Sequence, residues 1–211
     1  MTAIIAQNVG RTSGLIKAAS GGSGGVWTKI KTLTASSSAT LSFVDGSSDV
    51  VLDGTYYEYV FKFINIHPSD ASTRFSFNGS IDAGSNYNVT KTTTIFIAGH
   101  DEADSDATLT YQASDDHAQQ TSFQDLAAYG ESDNSNDSCL AGTLHLFGLS
   151  ATTFVKHFIA RTNYVAGGGP YDVDSYTGGY FNTTSAIDAI QFKFSSNNID
   201  SGSISLYGIS W

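Results

Sequence analysis

The sequence predicts an all-β chain, a jelly-roll-like antiparallel β-sandwich with an extended N-terminal arm, and three observations carry that prediction. Short aromatic and β-branched runs recur along the chain. Glycine is frequent at 21 residues, proline is scarce at two, and Ser, Thr and Asn fill the gaps between runs. No long stretch repeats apolar residues at the helical period of 3.6. Aromatic and β-branched side chains fit a pleated, half-buried surface, while Gly, Asn and Ser supply turn geometry. A chain of 211 residues suits one large all-β domain. Thirteen Phe and eleven Tyr can build its core without disulfide or metal cross-links.

Taken in order, residues 1–25 (MTAIIAQNVGRTSGLIKAASGGSGG) set a few apolar residues in a small-residue background that ends in glycines. Such a segment does not fold alone. It reads as an anchoring arm holding a partner through Ile4, Ile5, Val9, Leu15 and Ile16, ahead of a single sandwich domain over 26–211. Strands are expected at 26–33 and 39–44, followed by Asp45-Gly46 and Asp53-Gly54 turns. Residues 56–66 (YYEYVFKFINI) are apolar on both alternating faces. That predicts a central strand covered on each side, or one covered by a neighbouring subunit, ending at His67-Pro68. Further strands are expected at 73–78, 92–98 and 107–112, and a short helix at 122–129 (SFQDLAAY), with Phe123 and Leu126 on one face.

An internal repeat follows. Residues 142–150 (GTLHLFGLS) and 202–210 (GSISLYGIS) share the form G-[TS]-[LI]-x-L-[FY]-G-[LI]-S. Leu144 and Leu146, and Ile204 and Leu206, should face one way while His145 and Ser205 face the other. Equivalent strands are expected, and one repeated strand is too little for a solenoid or propeller. Strands at 153–164 and 189–194 bring the count to about ten, which suits two packed antiparallel sheets.

The segments FINIHP, KTTTIFIAGHDEAD, GTLHLFGLS, TTFVKHFIARTNY and GGYFNTTSAIDAIQFKFSSNNIDSGSISLYGI resemble uncharacterised proteins encoded by marine bacteriophages, some labelled virion or tail-fibre proteins. The resemblance spans most of 56–209, and IDSGSISLYGI is its most specific part. It implies a virion structural protein on the particle surface, either head decoration or tail-associated. The alternative is a receptor-binding tail-fibre tip or lectin-like module that binds host-surface glycan. The group carries no assigned catalytic residues, so the resemblance implies no enzyme. Its implied location is the virion, assembled in the host cytoplasm.

Charge and chemistry narrow the classes. A net charge of -10 repels phosphate backbones and sets nucleic acid aside. The single cysteine, Cys139, has no partner within the chain. No apolar run approaches the roughly 18 residues of a membrane span, and the first twenty residues lack a signal-peptide pattern, so assembly in a cytoplasm is expected. No nucleophile elbow, phosphate loop or zinc spacing occurs. Glu58, Glu102 and Glu131 are the only glutamates, a poor basis for a glycosidase carboxylate pair.

Two candidate sites remain. Tyr164, Tyr171, Tyr176, Tyr180 and Phe181 cluster around Gly167-Gly168-Gly169-Pro170, and an adaptable loop beside rigid rings suits receptor or sugar binding. Asp101, Glu102, Asp104 and Asp106 form a candidate calcium loop that lacks the glycine turn and terminal glutamate of an EF-hand. Asp115-Asp116-His117 and 133–137 are candidates to join it. No other cofactor is expected. Two-sided apolar strands and the aromatic surplus predict a homo-oligomer, with a trimer as the expected symmetry, alongside capsid or tail partners.

Overall fold

Alternating apolar and polar residues fold into antiparallel strands whose inward side chains meet across two sheets. The computed structural model describes residues 26–130, 132–167 and 171–210. Within them lie β1 (Val26–Thr34), β2 (Leu41–Val44), β3 (Glu58–Pro68), β4 (Phe75–Ser80), β5 (Lys91–Asp101), β6 (Ala107–Tyr111), β7 (Gln124–Asp125), β8 (Leu140–Phe147), β9 (Lys156–Ala166), β10 (Tyr171–Phe181), β11 (Ala189–Phe194) and β12 (Ile199–Ser210). One sheet runs β1-β12-β3-β8-β9-β10-β5-β6, the other β2-β11-β4-β7. They pack as the antiparallel, jelly-roll-like sandwich that composition predicts. The arm residues Ile4, Ile5, Val9, Leu15 and Ile16 lie outside the described residues.

β9 shows how the sequence sorts itself. Lys156, Phe158, Ala160, Thr162, Tyr164 and Ala166 are buried, while His157, Ile159, Arg161 and Asn163 are exposed. Period-2 alternation thus gives one face to the core and one to the outside. The core between the sheets is built from phenylalanine. Phe192 of β11 lies 5.1–6.4 Å, centroid to centroid, from Phe43, Phe61, Phe63, Phe75 and Phe77. Phe77 also meets Phe158 edge-on at 5.1 Å.

The repeated motif occupies β8 and β12, which flank β3 on its two sides. Phe61 pairs with Leu144 on one side and Leu206 on the other, so the copies are offset by two residues against β3. The shared glycine serves two ends. Gly148 turns the chain at φ +62°, whereas a Cβ on Gly208 would meet the Tyr56 ring at 2.3 Å. The first half of β3 is covered on both faces within this chain, Val60, fully buried on the outer side, lying between Tyr207 and His145 in register, whereas Ile64 on the same face is exposed.

Two expectations are corrected. Residues 122–129 form no helix; Gln124 and Asp125 make the short β7 against β4, and Leu126 N–H donates to Phe75 O at 2.8 Å. Gln124 is buried, accepting from Thr93 Oγ1 and donating to Asp115 O, so a polar residue expected on the wet face of a helix lies inside. Asp172 and Asp174, expected on the flexible loop around Gly167-Gly168-Gly169-Pro170, lie instead in the eleven-residue β10 (Tyr171–Phe181) between β9 and β5.

Phe192→Ala opens a void among five rings and is expected to lower stability by about 3–5 kcal/mol. Ile159→Ala on the outer face is expected to change it by less than about 0.5 kcal/mol. Urea unfolding of both variants beside the parent checks the contrast.

Candidate functional site

Register partners share a face of the sheet, so side-chain rows can be traced across the outside of the eight-stranded sheet. One row runs Lys62, Thr143, Arg161, Tyr176, Phe96 and Tyr111 over six strands. The next runs Tyr207, Val60, His145, Ile159, Gly178 and Thr94. A third holds His157, Tyr180 and Thr92.

The first row is a ridge. Tyr176 and Phe96 stack at 4.7 Å with ring planes 3° apart, and the Arg161 guanidinium lies 5.0 Å over the Tyr176 ring. Arg161 donates to both Asp174 oxygens, at 3.0 Å from Nε and 2.6 Å from Nη2, a fork geometry that fixes the side chain. The third row is a second wall, with His157 and Tyr180 rings 5.9 Å apart. Gly178, in register with Ile159 and Thr94, has no side chain to fill the space beside that wall. The result is an open trough of about 560 Å³ lined by Thr92, Thr94, Phe147, His157, Ile159 and Tyr180. His145 lies in the row of the trough floor, and its Nδ1 donates to Glu58 Oε1 at 2.7 Å. On the other side of the ridge a second hollow, about 390 Å³, opens over Ala141 and Thr143 beside Arg161, Asn163 and Asp174.

Strand alternation divides the five predicted aromatic residues. Tyr176 and Tyr180 face outward. Tyr164, Phe181 and Tyr171 face inward and are corrected to core: Tyr164 and Phe181 are 1% and 0% exposed, and Tyr171 packs against the same cluster. Tyr164 clamps a loop, its hydroxyl accepting from Tyr129 N–H at 2.8 Å and donating to Tyr129 O at 2.7 Å. Residues 168–170 of the glycine-rich loop lie outside the described residues, as does Glu131.

Asp101, Glu102, Asp104 and Asp106 are not gathered as a ligand set, and no group of three or more His, Cys, Asp or Glu side chains is placed to hold a metal among the described residues. Asp101 accepts from the Ser105 hydroxyl and from Asp106 N–H and Ser105 N–H and closes the β5–β6 turn, which lowers its pKa. Asp115 pairs with Arg74, Asp116 accepts from the Tyr111 hydroxyl, and Ser135 links Asp133 to Asp137, so the three acidic segments each satisfy themselves locally.

No protein-family model and no curated protein matches the chain. A crystal structure of a protein of unknown function from Bacteroides ovatus is similar over 51% of this chain and 45% of that one, at 4% identity and a TM-score of 0.29. The match spans less than half of that protein.

Beneath the Tyr180 wall lie two buried lysines. Lys91 and Lys156 flank Phe181 in register and are each 0% exposed. Lys91 Nζ donates to Val89 O and Ser122 O, and Lys156 Nζ donates to Thr183 O. Burial pushes the Lys91 ammonium down from 10.5 to about 7 and lowers Lys156 as well. Between pH 7 and 10.5 the unfolded chain therefore binds a proton that folded Lys91 has lost, and stability from this group rises with pH through that window. Urea unfolding near pH 7 and again near pH 9.5 is expected to show stability rising at up to about 1.4 kcal/mol per pH unit. Lys91→Met should flatten that rise; an unchanged slope would mean that the Lys91 charge stays in contact with water.

Proposed function

We propose that the chain is a non-enzymatic surface protein of a bacteriophage particle, a homo-oligomer docked to capsid or tail neighbours through one end of the outward sheet face. The carrying observation is the patch on β1, β12 and β3. Trp27 is 44% exposed and meets Tyr207 edge-on at 5.6 Å, with Lys62 Nζ over both rings at 4.9 and 5.8 Å. Ile64, two residues along β3 from Lys62, extends it as an exposed apolar neighbour, and Lys29 is paired with Tyr207. Exposed tryptophan beside tyrosine and lysine has the composition of an interface anchor. The patch also adjoins Val26, where 1–25 joins the sandwich, so arm and patch would engage one partner together. The resemblance to marine phage proteins supports the particle setting.

A second reading, recognition of a glycan on the host surface, is favoured by the trough over Gly178. Both readings place function on the outer face of the large sheet, the patch at its β1 end and the trough further across, over β8, β9, β10 and β5.

The test is cryo-electron microscopy of the purified particle together with a Trp27→Ala, Lys62→Ala variant. Density for the chain on the head or tail, with Trp27 at a contact and the variant lost from particles, is the expected result. Absence of the chain from purified particles overturns the proposal.

A further inference from the structure

We infer that the trough over Gly178 is a binding site for a short stretch of neutral saccharide chain. The inference deepens the glycan reading above, yet it concerns the isolated protein and stands whether or not the chain is found on a particle.

Gly178 is the first reason. A glycine inside a strand weakens it, so it normally answers a need for positive φ or for close packing. Neither applies here. Gly178 is not among the residues with positive φ, and a Cβ built on it would meet only Thr94 Cγ2, at an ordinary 3.7 Å. The contrast with its neighbour is direct: a Cβ on Gly179 would meet Phe158, Thr93 and the Thr92 carbonyl at 2.7–2.8 Å. Packing therefore demands glycine at 179 and not at 178. What glycine at 178 does is keep the floor of the trough open between Ile159 and Thr94, its partners in register, beside the wall made by His157 and Tyr180.

The occupant's chemistry follows from the lining. No Asp, Glu, Lys or Arg lines the trough, and the protein's net charge of -10 disfavours a polyanion. Under the trough β10 is paired with β9 on one side and β5 on the other, and the far side of β5 bonds to the 117–120 loop, Thr93 N–H donating to His117 O at 2.9 Å, so these strands offer no free ladder edge. An extended peptide laid across them gains no main-chain hydrogen bonds and leaves its own unpaired. A saccharide has the complementary composition. Its CH faces match Ile159, Phe147 and the aromatic wall, and its hydroxyls both donate and accept. The Tyr180 hydroxyl and the His157 ring, which make no hydrogen bond to another protein group among the described residues, supply partners at the rim. The volume, about 560 Å³, lies within the range of about 300–1,000 Å³ that small-ligand sites occupy.

The experiment is an NMR titration of the full chain with neutral gluco-, galacto- and manno-oligosaccharides at millimolar concentration. A uronate oligosaccharide and an apolar extended peptide serve as competitors in class. Shifts confined to Gly178, His157, Ile159 and Tyr180 with one neutral series are expected. Gly178→Thr, a strand-favouring residue that fills the trough, should retain the fold with an equal or higher melting temperature and lose binding at least tenfold. Leu109→Ala, on a distant strand of the same face, should bind as the parent does. Failure of every neutral series, binding of the uronate or the peptide alone, or undiminished binding by Gly178→Thr would each overturn the inference. Absence from virus particles would count against the particle proposal only.

Discussion

The contact between Phe192 and the rings around it is what the remaining architecture depends on. The four-stranded sheet has little ladder of its own: β2 has four residues and β7 has two. Its hold on the large sheet comes from aromatic side chains meeting across the interface, and Phe192 touches partners from β2 and β4 on its own side and from β3 on the other. Each such pair adds about 0.5–1.5 kcal/mol beyond the area it buries. The sheets are also unequal, about 34 Å wide against about 14 Å at the usual strand spacing. Loop residues must cover what the small sheet does not reach. Val50, Leu52, Leu126, Ala127, Ala128, Leu149 and Ile187 do this, all nearly or fully buried outside regular strands.

That requirement explains why the sequence was legible in some places and not in others. β9 and β11 can be read directly, because each alternates or runs apolar with β-branched and aromatic residues between turns. The segment 122–129 has a helix-like spacing of Phe123 and Leu126, but its backbone is taken by β4 and its Leu126 carbonyl by the Thr162 hydroxyl. Tertiary demand overrides local pattern there. β10 was illegible for another reason. Asp172, Asp174, Gly178 and Gly179 have low strand propensity, and the glycine-rich turn before it reads as a loop that continues. The pairing that holds those residues extended is supplied by two long neighbours, β9 and β5, whose contribution is nonlocal. Losing β10 meant losing the site, since alternation along β10 decides that Tyr176 and Tyr180 face out while Tyr171 and Phe181 face in.

With β10 in place, the outer face acquires relief. Bulky residues in register build walls across several strands, and a single glycine in register lowers the floor between them. The ridge is held by mutual constraint: Asp174 fixes Arg161, Arg161 covers Tyr176, and Tyr176 supports Phe96. Burial of apolar surface within the row lowers the cost of exposing rings to water, and the arrangement holds them in fixed orientations. The inward face beneath is equally constrained by Phe158 and Phe181 against Phe77. A ridge held in this way keeps its shape, and with it the edge of the hollow that Arg161 and Asp174 line.

Charge divides the same face into two working ends. Lys29 and Lys62 stand with Trp27 and Tyr207 at the β1 end. Asp101, Glu102, Asp104, Asp106 and Asp116 crowd the β5–β6 end, and the uncharged trough lies between. The net charge of -10 describes neither end. Screening reduces electrostatic reach to about 10 Å at ordinary ionic strength, far less than the width of the eight-stranded sheet. A partner at the Trp27 patch therefore meets local lysines and aromatic surface, while a ligand over Gly178 meets a lining without Asp, Glu, Lys or Arg. One sheet face can in this way present two chemically distinct surfaces, because the side chains that line them stand on different strands and in different rows.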